Sequence, residues 1–456
     1  MEKSQAFDIA VVGGGPTGIG AAVAAGRMGL RVALVERHPL LGGMGTAGLV
    51  NNFCHAHKAN VGEEIGTRNV VRRIVIGGVF GELRRRLMAR KAIYFTGLET
   101  DDWMEPYNPD AFVEEATALC REAGVTVLLG RNFHAGRFQA AAAAELELAG
   151  GETLAARAVV DATGDAVVAA QAGVPCAFGR PGDHAVMPLT YCFTVGPINI
   201  GKVKQEMPLG FRVDPATGDE VVFVNWSEPR IGEWIRRARD RGELTIPRKD
   251  IVSITSIPGR REYGTVNFGR VFCQDPTNPA LLAAAEAEGK RQVDEAVRFF
   301  RTYLPGFENA SLVELARQIG VRETRQISGL CTLTGQEVVE GRQFDDVIAQ
   351  CAYPVDIHEP GSEQTTLQRI RGTGHYDIPW RCLVPREGPP NLIVGGRCIS
   401  GTHEAMSSFR VAPSVMATGE AAGVTAALAA QRGCAMAQVP VKAVQERLRI
   451  TGGILD

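Results

Sequence analysis

Residues 7–36 carry the pattern that most limits the folds open to this chain: an apolar run, a glycine cluster, a small-residue segment and a second apolar run ending on an acid. FDIAVV, residues 7–12, has the near-continuous apolar character of a parallel strand covered on both faces. Gly13-Gly14-Gly15-Pro16-Thr17-Gly18 follows at once and matches G-x-G-x-x-G. Alanine and glycine then dominate IGAAVAAGRMGL, as a helix lying close on a sheet requires, and the strand RVALVE ends at Glu36. The glycine pattern alone is weak; strand, helix and acid together specify a dinucleotide-binding βαβ unit.

Each residue type has a physical reason. Gly13 permits the tight turn, Gly15 lets the backbone approach a pyrophosphate, and Gly18 lets the helix sit against the strand. Free N–H groups at the helix start face negative charge. The Glu36 carboxylate can accept hydrogen bonds from both ribose hydroxyls and would repel a 2′-phosphate, so the unit favours FAD or NAD over NADP.

Later segments choose FAD. A second glycine-rich loop, Arg37-His38-Pro39-Leu40-Leu41-Gly42-Gly43-Met44-Gly45-Thr46, lies directly behind the acid, where NAD dehydrogenases have no general need of one. Residues 158–165, AVVDATGD, read as a buried strand running into an Ala-Thr-Gly turn. Residues 391–397, NLIVGGR, are another apolar strand entering glycines, and lead through Arg410 and Pro413 into the helix MATGEAAGVTAALAA. Four glycine-rich strand ends along the chain imply one composite site. A second G-x-G-x-x-G between strand and helix is missing, as is a redox C-x-x-C or C-x4-C, which disfavours a disulfide reductase.

On these motifs, with VRETRQI at 321–327, YDIPWRCLVP at 376–385 and the run from 391 to 423, the chain resembles the FAD-dependent oxidoreductase family of the glutathione-reductase-like flavoprotein superfamily. That family is distantly related to the flavoproteins of succinate dehydrogenase and fumarate reductase. The resemblance implies FAD, and because no histidine lies inside the Gly-Gly loop its attachment is expected to be non-covalent. Gly13, Gly15, Pro16, Thr17, Gly18, Glu36 and Arg37 would lie around pyrophosphate and ribose, and Gly42, Gly43, Met44 and Thr46 beside the flavin. Ala162, Thr163 and Gly164 would pass the diphosphate or adenosine, Gly396 and Arg397 the ribityl-phosphate region. The helix after Pro413 would aim its N-terminus at the flavin pyrimidine edge, where reduced flavin is negative.

Convergence of the motifs on one cofactor divides the chain. Residues 1–50, 105–180 and 385–456 are expected to form a discontinuous Rossmann-like FAD domain of parallel sheet, helices and a β-meander. Residues 51–104 are expected as an inserted helical segment, and 181–384 as a mixed α+β substrate domain. Asn108-Pro109 marks a helix start and Gly124 its stop; Pro305-Gly306 stops a helix carrying Val293, Ala296, Val297, Phe300 and Leu304. In the insert, Phe80, Leu83 and Leu87 recur at helical spacing, so Arg72, Arg73, Arg84, Arg85, Arg86 and Arg90 are expected mostly on its wet side rather than as a dock for an electron partner.

Flavin chemistry needs a substrate C–H over N5, a proton-transfer group and usually a cation for a substrate carboxylate or enolate. The candidates are His375, His403, Arg325 and Arg410, with Arg322, Glu323 and Glu404 nearby in sequence; an internal Arg322–Glu323 ion pair is the competing reading for those two. Hydride transfer between a small organic substrate and FAD, as a dehydrogenase or ene-reductase, is the leading expectation, with an unidentified electron acceptor or donor. A flavin monooxygenase and a non-catalytic electron-transfer subunit are the alternatives. Cys54, His55 and His57 cluster without further ligands, so no metal site is expected.

Composition agrees with a large enzyme acting on a small molecule. The 456 residues exceed one usual core, 22% are charged, and the net charge of −2 offers no footprint for nucleic acid or an anionic membrane. The ten dispersed cysteines, the lack of an apolar stretch of about 20 residues and a strand-like start without a signal segment lead to the expectation of a cytoplasmic protein with free thiols. A homodimer is the base-rate expectation.

Overall fold

A computed structural model describes residues 5–54, 56–58, 73–95, 104–138, 143–225, 228–249 and 252–456. Strand β1 (Gln5–Val12), helix α1 (Pro16–Arg27) and strand β2 (Val32–Glu36) form the opening unit; β1 and β2 pair in parallel. α2 (Gly78–Ala89) and α3 (Pro109–Glu122) come next, then strands β3 (Thr126–Leu129), β4 (Phe133–Arg137), β5 (Ala144–Leu148) and β6 (Thr153–Asp161). Near the C-terminus lie strand β7 (Leu392–Val394) and helix α4 (Ala412–Arg432). The first sheet runs β3-β2-β1-β6-β5-β4, and β6 has a divided far edge: antiparallel β5 pairs with its first half, parallel β7 with its second. Carbonyl ends of β1, β2, β6 and β7 therefore point the same way, at the edge where open α/β sheets bind ligands.

The helix–sheet packing follows from small side chains. A Cβ placed on Gly20, Gly419 or Gly423 would run into the carbonyl oxygens of Met416, Thr17 and Ala21 respectively, so α1 and α4 touch backbone to backbone. α1 is buried from Pro16 to Ala25. The Asn108 side chain caps α3 by accepting from the N–H groups of Asp110 and Ala111 at 2.9 and 3.2 Å, with Pro109 at the first helical position. β4, β5 and β6 form the meander, turning at Gly150-Gly151, both at positive φ.

A second, antiparallel sheet of six strands places Phe193–Gly196 between Arg260–Asn267 and the edge strand Ser311–Leu315. The helix Pro279–Tyr303 packs on it through Phe299 and Phe300, which meet Phe268 with ring centroids 5.8 Å apart. Hydrophobic burial accordingly falls into two clusters, one around the first sheet and one between the second sheet and this helix. The fold is the expected α/β Rossmann-like architecture with an additional mixed α+β portion.

α2 buries Val79, Phe80, Leu83 and Leu87, as its spacing requires. Of its arginines, Arg84 departs from the wet-side expectation, while Arg85 and Arg90 are exposed as expected. Arg84 grips Glu105 at 2.6 Å with its side chain only 11% exposed, Arg86 spans Glu82 and Glu122, and Arg90 reaches Glu114 and Glu115. Glu105, just before α3, draws Arg84 across, and the α3 acids Glu114, Glu115 and Glu122 draw Arg86 and Arg90. Arg72 lies outside the described residues.

Glu420, buried in α4, accepts from Val79 N–H and from the Thr451 hydroxyl, each at 2.8 Å, and so ties α4 to the start of α2 and to the C-terminal segment. Burial pushes its carboxyl up to about 7 from the usual 4.5, against the pull of its hydrogen bonds and of Arg27. An acid whose folded value is raised stabilises fully below its unfolded value, and that contribution is lost as pH rises toward the folded one, at most roughly 3 kcal/mol here. Glu420→Gln should therefore gain on the wild type in melting temperature as pH climbs from about 4.5 to 7; a pH-independent difference would refute this.

Candidate functional site

The turn after β1 sets the geometry. Gly13 sits at φ +106, its N–H bound to Val35 O at 2.8 Å, and a Cβ on Gly18 would overlap Gly13 O. α1 then begins at Pro16 with no side chain capping its first turn, which leaves its N–H groups directed at whatever occupies the cleft ahead. A Cβ on Gly15 would meet nothing nearer than Gly43 Cα at 4.0 Å. The second glycine loop is fastened to the first by Gly42 N–H to Gly14 O at 2.8 Å, which brings Gly43 across from Gly15.

Glu36 is buried. One carboxylate oxygen accepts from Gly14 N–H at 2.6 Å and the other from His38 N–H at 2.7 Å, so the group is rigidly aimed while each oxygen retains lone-pair capacity toward the cleft. Asp161, at the end of β6, takes the Thr163 N–H and hydroxyl on one oxygen and Ala169 N–H on the other, shaping the Ala162-Thr163-Gly164 turn. Arg397 reaches Asp165 at 2.5 Å. That guanidinium, with a Thr324 hydrogen bond, holds the Asp165 carboxyl below its ordinary value although burial opposes it.

These loops wall a cleft of about 340 Å³, within the roughly 300–1,000 Å³ usual for small-ligand pockets. Of the residues expected at a cofactor, Gly13, Gly15, Pro16, Thr17, Glu36, Arg37, Gly43, Met44, Ala162, Thr163, Gly164 and Arg397 line it. Gly18, Gly42, Thr46, Gly396 and Pro413 stand behind the wall: Gly18 packs on Gly13, the Thr46 hydroxyl is turned to Leu41 O at 2.6 Å, and Gly396 backs onto Thr17. The start of α4 opens on the cleft through Val411, Ala412 and Val415. A backbone-only approach between Gly15 and Gly43, uncapped N–H groups and a fixed acid beyond β2 are the features that a pyrophosphate and a ribose require, so the residues present fit FAD.

The same cleft has a polar wall that the motifs did not announce. Asp356 and His358 alternate along the strand Val355–His358 and thus share a face. One Asp356 oxygen accepts from the Tyr353 hydroxyl at 2.7 Å and lies 3.2 Å from Arg410 and 3.4 Å from His358 Nε2. Arg322 also lines this wall, donating to Pro188 O at 2.5 Å and to the Thr190 hydroxyl at 2.8 Å, both neutral acceptors. Burial, then the neighbouring Arg410 and Arg248, draw the Arg322 guanidinium down to about 9, a sign of crowded positive charge. Burial, assisted by Arg322 and Arg248, also draws His358 down to about 3 against the attraction of Asp356, so the imidazole is neutral at pH 7. Burial would raise Asp356, but His358, Arg410 and the Tyr353 hydroxyl hold its carboxyl well below the carboxylate range.

Among the expected catalytic residues the structure brings Arg410 to the cleft and leaves the others away from its lining. His403 is buried with Nδ1 2.7 Å from Glu323, whose other oxygen accepts Met187 N–H; Glu323 is thus paired with His403 rather than with Arg322. His375 is buried beside its own turn, 3.2 Å from Thr373 O. Arg325 spends its guanidinium on Asp165 O and the Thr277 hydroxyl. Asp356, His358 and Tyr353 escaped sequence reasoning although the alternation in VDIH was the available signal. Of the Cys54-His55-His57 cluster, Cys54 lines the cleft, His55 lies outside the described residues, and nothing is described of the His57 side chain; among the described residues no group of three potential metal ligands occurs. No described helix is long and apolar enough to cross a membrane.

The family model described as FAD dependent oxidoreductase matches residues 8–448. Among solved structures, a geranylgeranyl bacteriochlorophyll reductase-like protein from Thermoplasma acidophilum is 12% identical, over 98% of this chain and 83% of that one, with a TM-score of 0.46. p-Nitrophenol 4-monooxygenase from Pseudomonas putida is 13% identical over 97% and 84%, TM-score 0.46. GidA from Aquifex aeolicus is 13% identical over 94% and 64%, TM-score 0.47. At such identities none lends its substrate to this chain.

Gly43, at φ +50 with its absent Cβ 3.0 Å from Gly15 Cα, gives a direct check on the cleft. Gly43→Val should yield folded protein that has lost most of its visible flavin absorbance per mole. Full flavin occupancy in that variant would mean that the second loop does not face the cofactor.

Proposed function

The chain belongs to the FAD-dependent oxidoreductase family, and on that premise we propose that it catalyses a redox reaction on a small organic substrate that carries a carboxylate. Bound FAD supplies the chemistry of hydride transfer at its N5. The observation that carries the reading is the charge balance of the polar wall: Arg322 and Arg410 both line it beside one carboxylate, Asp356. Crowded guanidinium groups in a buried setting are relieved by an anion, and a guanidinium fork matches a carboxylate.

Arg410 and Arg322 are the anchors in this reading. His358, neutral and held against Asp356, is the group that accepts or returns the substrate proton. Asp356 and Tyr353 are positioning residues that fix the imidazole and the Arg410 guanidinium. The roles proposed for the cofactor side are these: the loops at 13–17, 43–44 and 162–164, with Glu36, Arg37 and Arg397, hold the dinucleotide, while Gly18, Gly42, Thr46, Gly396 and Pro413 shape those loops from behind. Segments 1–50, 105–180 and 385–456 accordingly form the cofactor-binding part, 51–104 an inserted helical segment, and 181–384 the part contributing most of the substrate wall.

The test is an anaerobic screen of 2-hydroxy acids, amino acids and 2-enoates against oxidised and dithionite-reduced protein, following flavin absorbance. A free acid should change the flavin redox state where its methyl ester does not. Reaction only with neutral substrates would overturn the carboxylate reading, and consumption of NAD(P)H dependent on dioxygen and substrate would replace it with a monooxygenase. With the substrate so found, His358→Gln should lower the rate of flavin reduction or oxidation about 10²-fold or more at unchanged flavin content. Arg410→Met should chiefly raise the substrate concentration needed; unchanged kinetics in both variants would remove them from the site.

A further inference from the structure

Away from the cleft, the segments 329–331 and 381–385 run side by side. Gly329 and Pro385 form an antiparallel bridge, Leu330 N–H donates to Val384 O at 3.0 Å, and Cys331 N–H donates to Arg381 O at 3.3 Å. Arg381 immediately precedes Cys382, so the backbone bond from Cys331 N–H brings the two cysteines close together. A disulfide needs such closeness, spanning about 4.4–6.8 Å between α-carbons. Both thiols are free in the structure. Cys331 is half-buried and reachable from solvent; Cys382 is buried.

We propose that Cys331 and Cys382 form an oxidisable dithiol, a modification site whose reaction partner is a low-molecular-weight disulfide such as oxidised glutathione. The Cys331 thiolate attacks one sulfur of that disulfide, forming a mixed disulfide as the small S–S bond breaks and one thiol leaves with a proton. Cys382 then gives up its proton and attacks Cys331 Sγ, forming the protein disulfide and releasing the second small thiol. Two protein thiols are oxidised and one small disulfide is reduced to two thiols.

The division of labour follows from the surroundings. The Cys382 hydrogen bond and then the Arg381 guanidinium pull the Cys331 thiol down to about 6 although burial opposes them, while Cys382 is pushed well above its ordinary value by the same partner and by burial. Burial pushes Cys120 up to about 12, and Cys192 to about 11 against the pull of Arg322 and Arg248. An accessible thiolate beside a buried thiol is the asymmetry that thiol–disulfide exchange uses. The chain closed by the bond would include Tyr353, Asp356 and His358, so oxidation constrains the wall of the cleft without touching it.

The flavin-loaded protein, reduced, freed of reductant and incubated with oxidised glutathione at pH 7, should lose two titratable thiols and yield a Cys331–Cys382 linked peptide in mass mapping. Its melting temperature should rise, since a long loop is closed. Cys382→Ser should instead accumulate one glutathione on Cys331, and Cys331→Ser should prevent linkage; retained flavin absorbance shows that each variant is folded. The reaction rate should show its thiolate inflection near pH 6 rather than near 9. Absence of the linked peptide in the wild type, or glutathione found on other cysteines of Cys382→Ser while Cys331 stays free, would overturn the proposal.

Discussion

Backbone contact between α1 and α4 is the constraint on which the remaining structure depends. Where Gly20, Gly419 and Gly423 meet the carbonyls of Met416, Thr17 and Ala21, no side chain separates the helices. That contact fixes the start of α4 beside the start of α1, so two helix N-termini open on one cleft. It also presses Gly395 and Gly396 onto Thr17, which holds the turn after β7 in line with the turn after β1. Helices packed at ordinary side-chain distance, about 8–10 Å between axes, would draw these turns apart.

The cleft has an uneven electrostatic make-up. Around Glu36, Asp161 and Asp165, each carboxylate is tied down by backbone N–H groups or by Arg397, so the acids there orient rather than repel. At the Asp356 wall the balance reverses: among the described residues lining it, two guanidinium groups, Arg322 and Arg410, stand beside one carboxylate. Burial amplifies both arrangements because little solvent screens them. A ligand that is anionic at one end and must present a neutral C–H nearby would be oriented by such a gradient before any chemistry.

Much of the framework was legible in the residues because its signals are local. The turn at Gly13–Gly18, the acid closing β2, the Asn108-Pro109 cap and the alanine-rich α4 each state their conformation within a few residues. Side-chain partners were not legible in the same way. Glu323 stands beside Arg322 in sequence, yet their side chains diverge, one to His403 and the other to Pro188 and Thr190. His375 and His403 have the right chemistry for proton transfer but the packing turns them inward, whereas His358 reaches the cleft because strand alternation sets it on the face of Asp356. Arg84 of α2 departed from expectation for a similar reason: amphipathic spacing does not report which charged neighbour a long side chain will find.

The α1–α4 contact has a consequence for biosynthesis. During translation β1, α1 and β2 leave the ribosome well before α4, whose surface covers α1. Until then a wholly apolar helix flank and the half-edge of β6 destined for β7 stand open to solvent. Such exposure of apolar helix and unpaired strand invites association with other chains. Covering of α1 and completion of the cleft therefore wait for the same element, α4, and are achieved together.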